Sequence, residues 1–576
     1  MSLSPHQVSS HLPHIRQLIC DWESSEIPNG PTGVENFNPL TTSDVIVAFR
    51  TRPVLPGEDS RLAAQVDTNT VSMSDEDNTQ DSYLCTAVSL KRVGPGLTVV
   101  HVPSMKWNGL SLMHKNFESD LAFGPNASNE DVYRMTVDTY NMVSLALAGG
   151  VVCILAYGQT GTGKTYSMNY LAMTLAHELF RHATKTGSEI KSQNSYTGRN
   201  DGSDPFAISV TFLEIIGKSA YDLAADDAGE DNRTLVNIYE DKLGRVRPEL
   251  VTTHVTNAAE LISVIERCLS YRRTAATSRN ATSSRSHALL MIRIKNLLIP
   301  NLEDGEFILA DLAGSERYED NKAHSKQLMN ESRENNKSLL ALKECVRARA
   351  RAGAEDGFVH IPYRSSRLTW VLKPIFDMEE TRITKTLVIA HVSPHIQDVS
   401  HSVNTLSYAA PFRILPPRRP PASYDSEDPR TWDHDTTIKW LGGAFRKQQQ
   451  ARREAEWELQ RTQAQARKQR LLSFSPLPQN RDCLVDLIKF CPRPHGGTYL
   501  ARMYGAEWVQ MCLQNRNPAL LNGYNEEVLV EAIKADSLNV YLSLNQMLVY
   551  ARTRTRKAVM NSRRATERSS EGTSVS

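Results

Sequence analysis

Apolar and polar positions follow two rhythms along this chain. Short apolar runs rich in β-branched residues recur at Val45-Ile46-Val47-Ala48-Phe49, Val151-Val152-Cys153-Ile154-Leu155, residues 206–216 (FAISVTFLEII), Ala288-Leu289-Leu290-Met291-Ile292, Phe307-Ile308-Leu309-Ala310 and residues 386–392. Runs of this length predict strands, and the 151–155 run suits one buried on both faces of a parallel sheet. Other segments repeat at three- and four-residue steps, the mark of a helix face. Met168, Leu171, Leu175 and Leu179 form one such face, and Leu339, Leu342 and Val346 mark a long helix from about Ser332 to Arg351. Val132, Met135, Val137, Tyr140 and Val143 predict a helix starting near Glu130, with Asn126 or Ser128 as cap and acids in its first turn. Val403, Leu406 and Ala409 suggest a closing helix.

Polar and proline-rich stretches divide these elements. Residues 1–40 carry Pro13, Pro28, Pro31 and Pro39 and are expected to hold little structure alone. Residues 57–83 and 183–204 read as surface insertions. Pro416-Pro417-Arg418-Arg419-Pro420-Pro421 ends the first domain. The expected layout is a flexible segment 1–40, a main domain 41–414, a Pro-rich linker 415–437, a basic helix 438–473, a small all-α domain 480–555 open to a SAM-like interaction module, and a disordered basic tail 556–576. The basic helix lacks a sustained apolar heptad, so no coiled coil is predicted.

Length and charge change the picture little. A chain of 576 residues exceeds one ordinary core. With 66 basic and 65 acidic residues, bulk charge gives no reason to expect a specific nucleic-acid partner. Eight cysteines without a C-x-x-C pair suggest neither zinc nor a disulfide framework, which fits a reducing compartment. The chain shows neither an apolar signal core nor a run long enough to span a bilayer, so no membrane insertion and an intracellular setting are expected.

Chemistry concentrates at Gly158-Gln159-Thr160-Gly161-Thr162-Gly163-Lys164-Thr165, a G-x-x-x-x-G-K-T loop entered by a predicted strand and left by a predicted helix. Its glycines let backbone N–H groups turn inward onto phosphate oxygens, Lys164 can reach the β- and γ-phosphates, and the Thr165 hydroxyl can ligate Mg²⁺. A second anchor is Asp311-Leu312-Ala313-Gly314, where a strand-end carboxylate can hold Mg²⁺ through water and the Gly314 N–H can sense a γ-phosphate. Between them the serine-dense loop 277–287 (TSRNATSSRSH) can supply a further Mg²⁺ ligand and hold a water. On the long helix Lys343, Arg347 and Arg351 recur every four residues as a basic stripe, with Arg349, Arg364 and Arg367 adding to it. Such a stripe is usually a solvated face; following a nucleotide switch, it also fits a regulated acidic partner. Arg50 and Arg52, ahead of Pro53, lie on one side of a strand end, either a solvated edge or a base contact.

These motifs together resemble a kinesin motor domain over about residues 44–414: AYGQTGTGKTYSM, NATSSRSH, DLAGSER, NKSLLALKE, HIPYRSSRLT and RTRP. The resemblance implies an α/β P-loop NTPase fold, a central mainly parallel sheet flanked by helices, that binds Mg·ATP and microtubules. It implies that Arg50, Arg52 and Pro53 flank the adenine, with Tyr166 stacking where many members have His. It implies that Ser284 joins Thr165 at Mg²⁺, Ser283 positions water, Arg285 and Glu316 form the ion pair closing the switches, and Asn336 lies near the nucleotide gate. Lys343, Arg364 and Arg367 match tubulin-facing positions. The triplet Lys343-Glu344-Cys345 is similar to that of the microtubule-depolymerising kinesin-13 group, whose projecting Lys-Val-Asp loop reads Lys106-Trp107-Asn108 here. The implied activity is a microtubule-stimulated ATPase that destabilises filament ends, working in the cytoplasm on the cytoskeleton, the spindle included. A stepping transport motor and a nucleotide-gated tether remain the alternatives. Residues 438–568 are open to a cargo, a scaffold or the acidic tubulin surface.

Overall fold

The apolar runs become strands of one sheet in the computed structural model, which describes residues 8, 10–32, 44–56, 58, 85–107, 109–193, 204–225, 234–240, 246–278, 285–297, 303–315, 326–354, 359–377, 382–414, 424–466, 483–491, 495–501, 503, 505–517 and 526–572. The centre of the sheet is parallel: β1 (Val45–Thr51), β5 (Leu121–Phe123), β6 (Val151–Gly158), β13 (Gly305–Asp311) and β14 (Thr384–Val392) run in the order β13-β6-β14-β1-β5. Beyond β13 the antiparallel strands β12 (His287–Asn296), β7 (Phe206–Ile216) and β11 (Thr253–Val255) extend it, and β8 (Ser219–Asp222) pairs with β7. Alternation along each strand feeds two cores. Val45, Val47, Phe49, Val151, Cys153 and Leu155 enter one, while Ile46, Ala48, Val152, Ile154 and Ala156 enter the other.

Helices cover both faces. On the first, α4 (Lys326–Ala354) buries Leu339, Leu342 and Val346, and α5 (Val399–Ala409) buries Leu406. On the second, α2 (Lys164–Gln193) buries Met168, Leu171, Leu175 and Leu179, and α3 (Ala258–Ser278) buries Leu261 and Ile265. A small sheet of β2 (Val88–Arg92), β3 (Leu97–Lys106) and β4 (Gly109–Glu118) ends in a hairpin tip where Trp107 is 99% exposed.

Several boundaries differ from expectation. Residues 1–40 are not structureless: α1 (Leu12–Glu26) buries Leu12, Ile15 and Ile19 along one face, with Pro13 in the first turn, where its missing N–H is harmless. The helix predicted near Glu130 is broken into Asn129–Tyr133, a π-turn at Arg134–Asp138 and Met142–Leu147, with Asn141 left-handed at φ 51°. The hydroxyls of Thr136 and Thr139 donate back to the carbonyls of Val132 and Arg134, which competes with the regular ladder. Ser128, in a capping box with Asp131, is the cap. Helix α2 runs on to Gln193, past the start of the expected 183–204 insertion. Residues 59–84, most of the 57–83 insertion, lie outside the described residues.

Contacts divide the chain into Met1–Arg418 and Arg419–Ser576. In the second unit Trp432, from the expected linker, shares a core with Leu441 and Phe445 of α6 (His434–Ala466), with Trp508 of α7 (Gly505–Gln514) and with Ile533 and Val540 of α8 (Glu526–Gly572). The linker's later half and the basic helix therefore belong to the helical module. Its last helix continues to Gly572, where a disordered tail was expected; residues 552–568 hold neither Pro nor Gly, and Arg and Ala favour helix.

Helix α1 is locked onto the small sheet through a buried histidine. His101 is 0% exposed; its Nδ1 meets His114 Nδ1 at 2.8 Å, its Nε2 meets Ser89 Oγ at 2.8 Å, and Ser89 donates to Glu23 of α1 at 2.6 Å. Trp22 packs edge-on to His101 and stacks on His114, while Lys91 and Glu26 pair at the rim. One histidine must lack a proton to accept from the other. Burial, reinforced by His114, pushes the His101 pKa down to about 4. The unfolded chain therefore takes up this proton first as pH falls. Stability should be level above about pH 6.5 and fall between about 6.5 and 4, by up to ~1.4 kcal/mol per pH unit from this group. Melting temperatures across that range should show the slope, and His101→Gln should make it shallower; an unchanged slope in the variant would exclude the assignment.

Candidate functional site

Strand β6 delivers the loop and α2 leaves it. At Gly158 φ is +149°, and a Cβ there would stand 2.2 Å from the carbonyl oxygen of His391, so only glycine fits. Lys164 is buried under the loop, its Nζ donating to the carbonyls of Gly158 and Gln159 at 2.9 Å each. The Gly158 carbonyl also accepts the Ser315 N–H at 3.1 Å, which ties the loop to the segment following Asp311. Thr160 and Gly161 are exposed, and Thr162 closes the turn by donating to the Gln159 carbonyl at 2.7 Å.

At the end of β13, Asp311 Oδ2 accepts from Thr165 Oγ1 at 2.8 Å and from Arg272 of α3 at 2.7 Å. Arg272 also donates to the Ser286 carbonyl at 3.1 Å, with buried Glu214 3.8 Å away. Asp311 Oδ1 is buried without a hydrogen-bond partner among the described residues, beside a cavity of about 30 Å³ lined by Arg272, Met168 and Phe212. That space has room for one water. The other residues lining that space are mostly apolar, so the donors that suit a hard ion such as Mg²⁺ are the Thr165 hydroxyl and the Asp311 carboxylate it touches, and these residues fit the implied metal.

His287 joins three motifs. Its Nδ1 accepts the Ala313 N–H at 3.1 Å, and its Nε2 meets Ser338 Oγ of α4 at 2.7 Å. Complete burial, with Arg272 nearby, pushes its pKa down to about 3, so the ring is neutral and Nε2 carries the proton. Ser338 in turn donates to the Asn335 carbonyl, and Asn335 donates to the Arg285 carbonyl.

The adenine-side residues separate. Tyr166 is 70% exposed beside the loop and Pro53 is exposed. Arg50 turns inward instead, donating to Asn129 at 2.5 Å and Ser167 at 2.6 Å, and Arg52 is held by Glu58. Arg285 is half-buried at the edge of the described residues and Asn336 is exposed. Gly314 is buried. Ser283, Ser284 and Glu316 lie outside the described residues.

On α4 Arg347 and Arg351 are exposed. Lys343 is half-buried over the Tyr408 ring at 5.4 Å, and burial lowers its pKa. Arg349 is a correction to the expected cluster: it is 1% exposed and donates to the Ile375 carbonyl at 3.0 Å, because its side of α4 faces the core. Arg364 is paired with Glu240 of β9 (Ile238–Glu240), which Lys373 also reaches at 2.7 Å, and Arg367 donates to the Val236 carbonyl at 3.3 Å. Lys106 is exposed beside Trp107.

Sequence reasoning passed over Arg272, His287 and Glu240. Arg272 had a signal: it continues the stripe Leu261, Ile265, Cys268, Leu269, so a charge sits on a buried helix face. Glu240 had none, since its partners are over a hundred residues away.

A glycine-rich loop at the end of a central parallel strand, leading into a helix and facing an Asp-ended neighbouring strand, defines a P-loop nucleotide-binding α/β protein. The kinesin motor domain family matches residues 50–414, well over half of the chain, and the chain belongs to that family. It is 32% identical over 397 residues to the diatom spindle kinesin-1 of Cylindrotheca fusiformis, covering 68% of this chain and 54% of that protein. It is 34% identical over 329 residues to the kinesin-like protein KIN-13B of Arabidopsis thaliana, covering 55% and 43%. The motor domain of a Kar3-like kinesin from Ashbya gossypii is similar in structure, with 22% identity, 64% of this chain and 99% of that one covered, and a TM-score of 0.44. The chain spans about half the length of the curated relatives it matches.

Replacing Arg272 by Ala would leave Asp311 buried with its charge uncompensated, which typically costs about 3–5 kcal/mol. Denaturant unfolding should show a loss of that order in the motor unit; a loss under about 1 kcal/mol would mean that the pair is not sealed from water.

Proposed function

We propose that this chain is a microtubule-stimulated ATPase and that it destabilises microtubule ends in the manner of the kinesin-13 group. The observation that carries the motor reading is the short chain of hydrogen bonds through neutral His287, from the segment after Asp311 to Ser338 of α4, little more than one turn before Lys343. A change at the nucleotide loop has a direct route to α4.

In this reading Lys164 exchanges its two loop carbonyls for β- and γ-phosphate oxygens. Thr165 and Ser284, with Asp311, would hold Mg²⁺. Mg²⁺ held there would supply positive charge against the charge developing on the phosphate. Ser283 orients the attacking water, Gly314 meets the γ-phosphate with its N–H, and Arg285 with Glu316 closes the pocket. Gln159, Thr160, Gly161, Thr162 and Gly163 wrap the phosphates, while Arg52, Pro53 and exposed Tyr166 border the base. Arg50 contributes from beneath by fixing Ser167 of α2.

The filament-facing set is Lys106, Lys343, Arg347, Arg364 and Arg367. Three features favour end destabilisation: the Lys343-Glu344-Cys345 triplet, the hairpin that carries Lys106 and fully exposed Trp107 outward, and the match to KIN-13B. The match to a spindle kinesin keeps a stepping motor as the second reading and supports a place on cytoskeletal filaments.

Stabilised, end-labelled microtubules incubated with the protein and ATP should shorten from their ends. Directed gliding over a protein-coated surface without shortening would favour stepping, and filament binding with neither effect would favour a tether. Glu316→Ala should keep ATP affinity and lose microtubule-stimulated hydrolysis; wild-type turnover in that variant would reject the assigned role.

A further inference from the structure

Helix α8 is apolar on two sides. Leu529, Ile533, Val540, Leu544 and Leu548 are buried in the core of the helical module. Opposite them Val528, Leu538, Leu542 and Val549 are 57%, 46%, 53% and 54% exposed, and Ala535 is exposed between them. Val528, Ala535, Leu542 and Val549 are seven residues apart, so with Leu538 they form a stripe about 80° wide. A lone exposed leucine needs no explanation, but a helix apolar on both sides is normally covered on both.

The charges flanking the stripe indicate what covers it. Glu527 and Glu531 are exposed at its N-terminal end, and Arg552 and Lys557 at its C-terminal end. A parallel copy would set like charges against each other. An antiparallel copy sets acid against base at both ends, as a two-fold interface requires.

We propose that a second copy of this chain covers the stripe, the two α8 helices packing antiparallel about a two-fold axis at Leu542. Glu531 lies eleven residues before Leu542 and Arg552 ten after it, about 16 Å and 15 Å at 1.5 Å per residue and on the same side of the stripe, so this acid and base meet at each end of the pair. Glu531 falls opposite Thr553, within reach of Arg552, while Ala535 faces Val549 and Leu538 faces Gln546. Glu531 already pairs with Lys534 along its own helix at 2.8 Å, an exposed contact weak enough to share. The interface uses only the outer face of α8 and leaves the module's core untouched.

Sedimentation equilibrium of the full chain at low-micromolar concentration should give twice the 64.5 kDa chain mass. Leu542→Glu should give the single-chain mass with an unchanged circular dichroism spectrum, because that side chain is outside the core. Glu531→Arg should weaken the dimer about tenfold, or ~1.4 kcal/mol, and adding Arg552→Glu in the same chain should restore it. A monomeric wild type, meaning that another segment or protein covers the stripe, would overturn the proposal. So would a dimer indifferent to Leu542→Glu, or one lost by Leu542→Glu but unmoved by the charge exchange.

Discussion

The nucleotide end of the motor depends on one buried carboxylate. Asp311 terminates a central strand, is 6% exposed, and shares one oxygen between the Thr165 hydroxyl and the Arg272 guanidinium. Taken out of water alone, that charge would cost several kcal/mol, and only the charged partner makes the position tenable. The same contact fixes the end of β13 relative to the start of α2, so the two elements that would hold Mg·ATP are registered before any ligand arrives. Arg272 reaches them from a third element, α3, and carries the serine loop's end along through Ser286.

From this anchor the chain builds a route outward that uses neutral groups. His287 stays uncharged because it is buried beside Arg272, and only the uncharged ring can accept from Ala313 while donating to Ser338. A protonated ring would have two donors and would lose the Ala313 bond. The link is short and directional, which is what a two-position switch needs. Next along α4, the Leu339 carbonyl accepts from Tyr408 at 2.6 Å, and the Tyr408 ring lies under Lys343.

Much of this was legible in the sequence because the signals are local. The strands announce themselves by apolar runs, and the phosphate loop by glycines that a left-handed turn demands. What escaped was of two kinds. Helix α1 was hidden by prolines, although Pro13 falls where a helix tolerates it and Leu12, Ile15 and Ile19 lie on one face. Arg349 looked like its basic neighbours, yet the residue two positions after Arg347 lies on the opposite side of the helix and points into the core. The ion pairs around Asp311 and Glu240 join residues far apart in sequence, and no periodicity reports them.

The positive face is therefore not a row of unattached charges. Arg364 and Lys373 already share Glu240, and Lys343 rests half-buried on an aromatic ring. An acidic partner would have to exchange these contacts, not simply add to them, which lowers its net gain at each site. The exchange has a use. Glu240 holds Arg364 in place, so in the proposed filament-facing role less side-chain freedom would be lost on binding. The carboxylate also remains to repel a mismatched acidic surface. Affinity per residue would then be modest, and strong attachment would require several contacts at once. A motor that must release as readily as it grips gains more from contacts of this kind than from a surface of unpaired lysines.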